Sequence, residues 1–420
     1  MSTHLRRTVR AATALAATVA IFGAGAAPAA AQEPGTITIW ADELMGQALG
    51  TAAANYSEQT GIPIDVQVKV YEGINDEFLA QVAAGQGPDL LINGQSPVGL
   101  FVANGAISPI ELGDKADLFA PASIAAYTYD DKIYGLPYAV ENIALLRNTD
   151  LAPTAPATFD EAIAMGQELV DAGQTELPFL LHTDGGDNGD AYHMYPLQTS
   201  MGNFGFGLNE AGGWDVSDVS TIDIDNEAGL AFAERIKELG DLGILNAELT
   251  SDVALEKFMA GDSPFFVTGP WFLPAIQESG MNYAIDPIPT LGDLEARPFV
   301  GVIGAYLNSK SENALAATDF LVNYLTTDEA AIQIYEDGGK PPALMSGFEA
   351  VSDDKDVQAW GQAGANGIPL PNDARAGAFW QNVGKIQQAI LRGQGDPVEL
   401  WQKLGDDMRA TYEELDATAG

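Results

Sequence analysis

The side chains best suited to metal chemistry are scarce in this sequence. The chain contains no cysteine, and after residue 31 its histidines are His182 and His193. Two histidines, with no cysteine and no H-E-x-x-H pattern, are a poor set of ligands for a catalytic zinc ion. We therefore predict a protein with no metal site and no cofactor.

An acidic stretch, DGGDNGD at residues 184–190, resembles a calcium-binding loop at first sight. Such a loop places a bidentate glutamate at its twelfth position. Counted from Asp184, the twelfth residue is Tyr195. We interpret the stretch as a solvated loop, with a cation site as the alternative.

Sequence motifs of common enzymes are also missing. There is no G-x-S-x-G, no P-loop and no G-x-G-x-x-G, which argues against the usual serine hydrolases, NTPases and dinucleotide enzymes. The 59 Asp and Glu residues leave open a pair of carboxylates for glycoside hydrolysis, because the sequence does not show which acids lie close together. A binding protein and a secreted glycoside hydrolase both remain possible.

A tryptophan stands where a buried strand ends. The stretch FFVTGPWFLPA, residues 265–275, runs from apolar residues through Gly269 and Pro270 into Trp271. Glycine permits close approach to the backbone, and proline suits the first position of a helix. The indole of Trp271 is therefore either a core packing residue or a flat surface presented to a ligand.

The elements that carry these residues alternate between strand and helix, as in an α/β fold. Residues 36–92 read as strand, helix, strand, helix, strand, which favours a mostly parallel sheet with helices on both faces. A second set of elements begins near residue 150, where Thr158 and Glu161 form a capping box that opens a helix. Residues 298–308 read as a strand, and the chain from about residue 311 reads as helices.

The first 31 residues have the pattern of a secretory signal. Three arginines precede an apolar run at residues 11–25, and small residues stand directly before Gln32. We expect the mature chain to begin near Gln32, and the pair Arg6-Arg7 leaves twin-arginine export open. Without a cysteine, the mature protein has no residue for a lipid anchor of the cysteine type.

The composition predicts a soluble two-domain protein with an acidic surface. A chain of 420 residues with 46% hydrophobic residues can bury a large core without disulfides. The formal net charge of −40 repels nucleic acid and anionic lipid, so neither is an expected partner.

Six blocks of the sequence resemble, in order and spacing, the extracellular solute-binding protein family 1 of ABC sugar importers. The resemblance covers nearly all of residues 35–415, and the maltose/maltodextrin-binding branch is the closest. The blocks are AAGQGPDLL (83–91), KIYGLPYAVEN (132–142), KFMAGDSPFFVTGPW (257–271), PFVGVIGAYLN (298–308), FLVNYLTTDEA (320–330) and AFWQNVGKIQQAI (378–390).

This resemblance implies a periplasmic-binding-protein type II fold, in which two lobes joined by a hinge close on a sugar. The N-terminal lobe would comprise residues 32–141 and 299–340, and the C-terminal lobe 142–298 and 341–420. The implied protein is an exported monomer of the periplasm or the extracellular space. It binds an oligosaccharide, with maltose, maltodextrin or another α-glucoside leading, and delivers it to an ABC permease. A sensor or scaffold working with a membrane receptor is a further alternative.

The same resemblance implies a set of ligand contacts. Trp271, Trp380 and Tyr192 would stack on sugar rings, because a pyranose presents a flat face of C–H bonds to an indole or a phenol. Carboxylates would accept hydroxyl groups, since each can take two hydrogen bonds. The polar and neighbouring candidates are Glu141, Asp42, Glu43, Asp190 and His193, and for Asp42 and Glu43 helix capping is an equal alternative.

The sequence departs from the maltose-binding branch in the first lobe. Asn93 stands where that branch has a tryptophan, and we include it among the ligand-binding candidates. Ser96-Pro97 replace an Asp-Arg pair, and Leu44 and Met45 occupy the region of an expected lysine. These departures bear on the identity of the sugar and not on its class.

Overall fold

The computed structural model describes residues 35–71, 73–184, 186–210 and 212–419. The predicted signal segment, residues 1–31, and the expected mature start at Gln32 lie outside the described residues.

The strands are short, apart from two of 8 and 10 residues that pair with each other. They are β1 (Ile37–Ala41), β2 (Ile64–Val68), β3 (Leu90–Gly94), β4 (Ile107–Ser108), β5 (Thr128–Tyr129), β6 (Lys132–Ile133), β7 (Gly135–Asn142), β8 (Ala144–Asn148), β9 (Leu180–Leu181), β10 (Phe265–Thr268), β11 (Tyr283–Asp286), β12 (Phe299–Asn308) and β13 (Ile368–Pro369).

The helices fill most of the sequence between the strands. They are α1 (Glu43–Thr60), α2 (Ile74–Ala83), α3 (Val98–Ala103), α4 (Pro121–Ala126), α5 (Phe159–Asp171), α6 (Tyr195–Ser200), α7 (Glu227–Asp241), α8 (Ser251–Ala260), α9 (Leu273–Ser279), α10 (Ala314–Asp319), α11 (Asp328–Gly338), α12 (Met345–Val351), α13 (Lys355–Ala363), α14 (Gly377–Trp380), α15 (Val383–Leu391) and α16 (Pro397–Ala419). Among the helices of the described residues, none combines the length and the apolar character that crossing a membrane requires.

The first sheet is built on β1 and β12. Its strand order is β13-β12-β3-β1-β2, and β4 and β7 also pair with β12. β1 runs parallel to β2 and β3, as the sequence predicts, whereas β12 runs antiparallel to β3, β4 and β7. The sheet is therefore mixed rather than mostly parallel, because β12 enters it from a distant part of the chain.

The faces of the first sheet are both buried, and the side chains of β1 and β3 alternate between them. Ile39 and Leu90 belong to one hydrophobic cluster, while the adjacent Trp40 and Leu91 belong to another. Successive side chains of a strand point to opposite faces. Apolar residues at every position therefore require cover on both sides, which confirms the predicted α/β layering.

The second sheet has the strand order β11-β8-β10-β9. β8 is antiparallel to β10 and β11, and β9 is parallel to β10. The adjacent Phe265 and Phe266 of β10 again face different clusters. This sheet too carries packed layers on both of its faces.

A nearly continuous strand joins the two sheets. β7 pairs with β12 in the first sheet, and after the single residue Ile143 the chain continues as β8 in the second sheet. At this same end of the pairing, Val300 of β12 lies opposite Asn142, the last residue of β7. The chain therefore crosses between the sheets at the place where β7 and β12 are paired.

Two local predictions can be compared with the structure. Thr158 caps α5 by accepting a hydrogen bond from the backbone N–H of Glu161 at 3.1 Å, which confirms this helix start. The prediction that the chain is helical from about residue 311 onward is wrong at β13, which pairs with Phe299 and Val300 of β12. A two-residue strand at a sheet edge is too short to produce a periodic pattern in the sequence.

Candidate functional site

One edge of the second sheet collects most of the predicted site residues. β9 and β10 are parallel, with Val267 opposite Leu181, so both strands end at the same edge. His182 follows β9 directly, and Trp271 follows β10 after Gly269 and Pro270. Loops beyond the carboxyl ends of parallel strands are common ligand sites in α/β proteins.

Trp271 folds back over the glycine that precedes it in the turn. A Cβ atom added to Gly269 would lie 2.0 Å from Cζ3 of the indole. The φ angle of Gly269 is −109°, which any residue adopts, so the requirement for glycine here comes from this contact and not from the backbone. The small residue allows the indole to pack closely against the end of β10.

Aromatic side chains form a row beside Trp271. The ring centroid of Tyr192 lies 6.5 Å from that of Trp271 and 5.9 Å from that of Phe299. Phe299 is in turn 5.2 Å from Trp380. Trp271, Tyr192 and Trp380 are half-buried, whereas Phe299 is fully buried beneath them. The structure thus brings together the three aromatic residues that the sequence predicts as stacking groups.

Several buried polar atoms of this region have no hydrogen-bond partner among the described residues. They are the hydroxyl of Tyr192, the indole Nε1 of Trp380 and the hydroxyl of Thr268, the last residue of β10. Buried polar groups in proteins are nearly always hydrogen-bonded. Unsatisfied atoms beside a row of aromatic rings are typical of a surface that a polar ligand completes.

A buried ion pair lies next to the aromatic row. Lys340 Nζ is 2.5 Å from Glu141 Oε2, and the same Nζ lies 5.7 Å from the ring centroid of Trp271. Glu141 belongs to β7 and Lys340 follows α11, so two distant parts of the chain meet here. A charged pair of this kind offers both an acceptor and a donor to a hydroxylated ligand.

Lys340 was not among the sequence predictions. Its signal in the sequence is a lysine between paired glycines and paired prolines, Gly338-Gly339-Lys340-Pro341-Pro342. A long charged side chain is rarely buried without a partner. The sequence did not indicate that partner, because Glu141 is far away along the chain.

Asp42 caps α1 and also lies close to this ion pair. Its Oδ1 accepts a hydrogen bond of 2.7 Å from the backbone N–H of Met45. Burial raises the pKa of Asp42 although that hydrogen bond and Lys340 act in the opposite direction, and the charge of Glu141 adds to the rise. The capping alternative is therefore confirmed for Asp42, and its contact with a sugar stays a prediction. Glu43 is exposed in the first turn of α1.

Asn93 is buried at the end of β3 and its side chain is occupied. Its Nδ2 donates to Asn75 Oδ1 at 2.7 Å, and its Oδ1 accepts from the N–H of Gly94 at 2.8 Å. Its backbone oxygen accepts the hydroxyl of Tyr127. The structure thus gives Asn93 a local structural role, and its proposed contact with a ligand stays a prediction.

Asp190 and His193 lie directly beneath the row and form a cluster with His182. Asp190 Oδ2 is 2.8 Å from His182 Nδ1 and 2.6 Å from His193 Nδ1. Burial acts to raise the pKa of Asp190, but His193 and His182 outweigh it and hold the pKa well below the usual value. Burial acts to lower the pKa of His182, but the Asp190 carboxylate outweighs it and raises the pKa.

This cluster supports the aromatic row. The Oδ1 atom of Asp190 accepts the backbone N–H groups of Tyr192 and His193 at 2.8 and 3.0 Å. The ring of His193 meets that of Trp271 edge-on, with centroids 5.8 Å apart. Asp190 therefore positions Tyr192 through the backbone, while His193 supports the indole.

A pocket of about 230 Å³ has Trp271 in its wall. Residues from α1, α9 and the end of α11 surround it, and Tyr138 and Lys340 lie in its wall. Burial raises the pKa of Tyr138 well above its usual value, and the charges of Asp42 and Glu141 act in the same direction. Trp271 therefore belongs both to the aromatic row and to the wall of a pocket whose polar groups include the ion-paired lysine.

Comparison with known proteins identifies the class. The sequence profile described as "Bacterial extracellular solute-binding protein" matches residues 51–365, which is well over half of the chain. The protein belongs to this family of extracellular solute-binding proteins.

Its relatives include several proteins that are named for oligosaccharides. The galactooligosaccharide-binding protein of Bacillus subtilis is 24% identical over 380 residues, covering 88% of this chain and 88% of the relative. The maltooligosaccharide ABC transporter solute-binding lipoprotein of Streptococcus pneumoniae strain R6 is 24% identical over 367 residues, 86% and 85% of the two chains. The maltotriose-binding protein of Pyrococcus abyssi is 26% identical over 326 residues, 75% of this chain and 68% of the relative.

Proposed function

We propose that this protein is the substrate-binding component of an ABC carbohydrate importer and that it captures an oligosaccharide. The observation that carries the proposal is the row of Trp271, Tyr192 and Trp380 beside the ion pair of Glu141 and Lys340. Sugars need both kinds of surface, since their ring faces are apolar and their edges carry hydroxyl groups. The names of the relatives support the same ligand class.

In this proposal, each predicted residue has a defined task. Trp271, Tyr192 and Trp380 cover the faces of sugar rings, and the free hydroxyl of Tyr192 bonds a sugar hydroxyl. Glu141 accepts hydroxyl groups while Lys340 donates to them, and Asp42 and Glu43 contribute from the start of α1. Asp190 and His193 position the aromatic row. Asn93 forms part of the binding surface of the N-terminal lobe.

The proposed mechanism is closure of two lobes around a hinge. Residues 32–141 and 299–340 would form the N-terminal lobe, and residues 142–298 and 341–420 the C-terminal lobe. The crossing from β7 to β8 at Ile143 and the pairing of β7 with β12 support this division. A sugar that touches both lobes shifts the population toward the closed form.

The partners and the location follow from this role. The closed, loaded protein would be recognised by the membrane subunits of an ABC permease, and it would act as a monomer outside the cytoplasmic membrane. Maltose, maltodextrin or another α-glucoside is the leading ligand, because two of the relatives above are named for such sugars. Capture requires no covalent chemistry and no cofactor.

The test is calorimetric titration of the purified protein with maltotriose. We expect saturable binding that weakens in Trp271→Ala by about 30-fold, or about 2 kcal/mol, which is typical of an aromatic residue central to an interface. Trp271→Phe should keep part of the affinity, because it retains an aromatic face. Phe348→Ala is the matched control, since Phe348 is an exposed aromatic residue that is not part of the row.

Two outcomes would contradict the proposal. Equal affinities in the protein and in Trp271→Ala would remove the indole from the site. Release of glucose or maltose from maltotriose during prolonged incubation would favour the alternative of a glycoside hydrolase. Heat with galactooligosaccharide but not with maltotriose would change the sugar and leave the function in place.

A further inference from the structure

The histidines of the described residues, His182 and His193, converge on a single carboxylate oxygen. Their Nδ1 atoms lie 2.8 and 2.6 Å from Asp190 Oδ2, and the ring centroids are 4.8 Å apart. The three potential ligand atoms all lie within 4.8 Å of one another. Asp190 and His193 are buried and His182 is half-buried, so bulk water reaches this cluster poorly.

The second nitrogen of His182 determines which atom of the ring is available. Nε2 lies 2.6 Å from the backbone oxygen of Asp184, a contact that requires a proton on Nε2. In the neutral imidazole, the lone pair is therefore on Nδ1 and faces the cluster. Donation of the outer N–H to a backbone carbonyl is the usual arrangement behind a histidine that ligates a metal.

His182 Nδ1 and Asp190 Oδ2 lie 2.8 Å apart, a contact that either a proton or a metal ion between the two atoms would stabilise. The matching contact of His193 is stabilised by a proton, because its Nδ1 makes a hydrogen bond to Asp190 Oδ2. The Nδ1 atom of His182 contacts the same oxygen but lacks hydrogen-bond geometry toward it. The Nδ1 atoms of both rings are thus directed at the same carboxylate oxygen, and the one of His193 alone makes an in-line hydrogen bond to it.

We propose that His182 Nδ1, His193 Nδ1 and Asp190 Oδ2 bind a divalent transition-metal ion of the Zn²⁺ class. This differs from the sequence prediction, which counted two histidines as too few and did not foresee that the fold joins them to Asp190. Two imidazoles and one carboxylate are ligands that Zn²⁺ accepts, whereas Ca²⁺ and Mg²⁺ prefer sets of oxygen atoms. The ion replaces the protons that otherwise separate the three groups.

The site needs only a small adjustment to receive the ion. A tetrahedral Zn²⁺ with bonds of about 2.0–2.2 Å keeps its ligand atoms roughly 3.3 Å apart. The two nitrogen-to-oxygen distances of 2.8 and 2.6 Å must therefore increase by about half an ångström. Rotation of the His182 ring, which has no in-line bond at Nδ1, supplies part of this movement.

The surroundings favour a cation and hold the ligands in place. The carboxylate of Asp184 adds negative charge near His182 and is itself fixed by the side chain of Gln388 at 3.2 Å. The other oxygen of Asp190 is bound by the N–H groups of Tyr192 and His193. Ligands that are oriented in advance by such contacts bind a metal more tightly.

Metal uptake by untagged protein tests the proposal. After treatment with a chelator, the protein is dialysed against Zn²⁺, and the bound metal is measured by mass spectrometry. We expect about one equivalent per chain. We also expect Co²⁺ to give the intense visible absorption of a four-coordinate site, which Zn²⁺ then displaces.

Single substitutions of the three proposed metal ligands are compared with the original protein. His182→Gln, His193→Gln and Asp190→Asn should each lower the Zn²⁺ affinity at least tenfold. Tyr192→Phe is the matched control, because it lies in the same loop and removes only a hydroxyl without a partner. A cooperative thermal unfolding transition of each metal-free variant shows that the variant is folded. If one ligand variant does not fold, the other two provide the comparison.

The proposal is overturned if the protein takes up no more Zn²⁺ than His182→Gln does. It is equally overturned if the ligand variants and Tyr192→Phe bind the metal alike. All measurements are made without sugar, so the result is independent of whether the protein binds maltotriose.

Discussion

At this site, individual residues matter for their packing contacts as much as for their chemical groups. Gly269 is required by the indole that lies on it, and Asp190 uses one oxygen for the backbone and the other for two imidazoles. Tyr192 keeps a buried hydroxyl without a partner among the described residues. The aromatic row is thus held in place by residues that pack behind it. Substitutions of those residues should alter sugar affinity indirectly.

Replacing Gly269 by alanine should displace Trp271. The new methyl group would occupy space 2.0 Å from Cζ3 of the indole, and the ring must rotate away. We expect maltotriose affinity to fall about tenfold and the free energy of unfolding to fall by about 1–3 kcal/mol. Calorimetric titration and urea unfolding measure the two effects.

A double-mutant comparison separates the cause. If Gly269→Ala acts through the indole, it should have little further effect on affinity in the Trp271→Ala background. Additive losses in the double variant would show that Gly269 acts independently of Trp271.

Asp42→Asn should stabilise the protein at neutral pH while weakening sugar binding. Because burial raises the pKa of Asp42, the folded protein binds this proton more tightly than the unfolded chain does. The charged form is therefore unfavourable in the folded state, and its penalty appears as the pH rises through the folded pKa. Asparagine removes that charge and still caps α1.

Urea unfolding across a pH series measures this effect. The variant should gain stability over the original protein at pH 7, and the difference should shrink as the pH falls through the usual range for aspartate. A variant that is less stable at pH 7 than at pH 4, each relative to the original protein, would contradict the assignment.

At the scale of elements, the edge strand β11 of the second sheet is joined to its neighbour β8 by a buried ion pair. Arg147 of β8 donates from Nε to Asp286 Oδ2 of β11 at 2.8 Å, and its Nη1 donates to the backbone oxygen of Ala152 at 2.7 Å. The guanidinium is largely shielded from water, with 8% of the side chain exposed. A guanidinium shielded from water in this way is stable only with its carboxylate partner, Asp286.

Asp286→Ala should therefore lower the free energy of unfolding by about 3 kcal/mol, because it leaves a buried guanidinium without its counter-charge. The measurement is urea unfolding followed by circular dichroism. Asp241→Ala is the control, since the pair of Asp241 with Lys237 is exposed and should contribute less than about 1 kcal/mol. Equal losses in the two variants would show that burial does not govern the strength of these pairs.

At the scale of the whole molecule, the two sheets share the connection from β7 to β8 and the pairing of β7 with β12. The proposed hinge uses these strands, while the ligand groups stand on both sides of them. Glu141 and Lys340 belong to the proposed N-terminal lobe, and Trp271, Tyr192 and Trp380 belong to the proposed C-terminal lobe. A sugar that contacts both sets would couple binding to the relative position of the lobes.

Saturating maltotriose should therefore compact and stabilise the protein. Small-angle X-ray scattering should show a smaller radius of gyration with the sugar than without it. At a sugar concentration of 100 times the dissociation constant, the free energy of unfolding should rise by about 2.7 kcal/mol. Trp271→Ala at the same sugar concentration should show a smaller change of both quantities, and binding without compaction would contradict closure of the lobes.

The sequence by itself determined the α/β class and the start of α5 at Thr158, and it singled out Trp271 as a candidate ligand contact. These features depend on local patterns of apolar, capping and turn residues, and the six ordered blocks indicated the family that the sequence profile confirms. Trp271 could be selected because its position after a strand and a Gly-Pro turn is visible within a few residues.

Only the tertiary structure decided which distant residues meet. It placed Lys340 against Glu141 and brought His182 together with Asp190 and His193. It also engaged the side chain of Asn93 in local hydrogen bonds, and it paired β12 antiparallel with β3 in the first sheet. The physical reason is that local patterns fix the type of an element and the face it buries. The path of the chain between elements decides which charges and rings come within a few ångströms of each other.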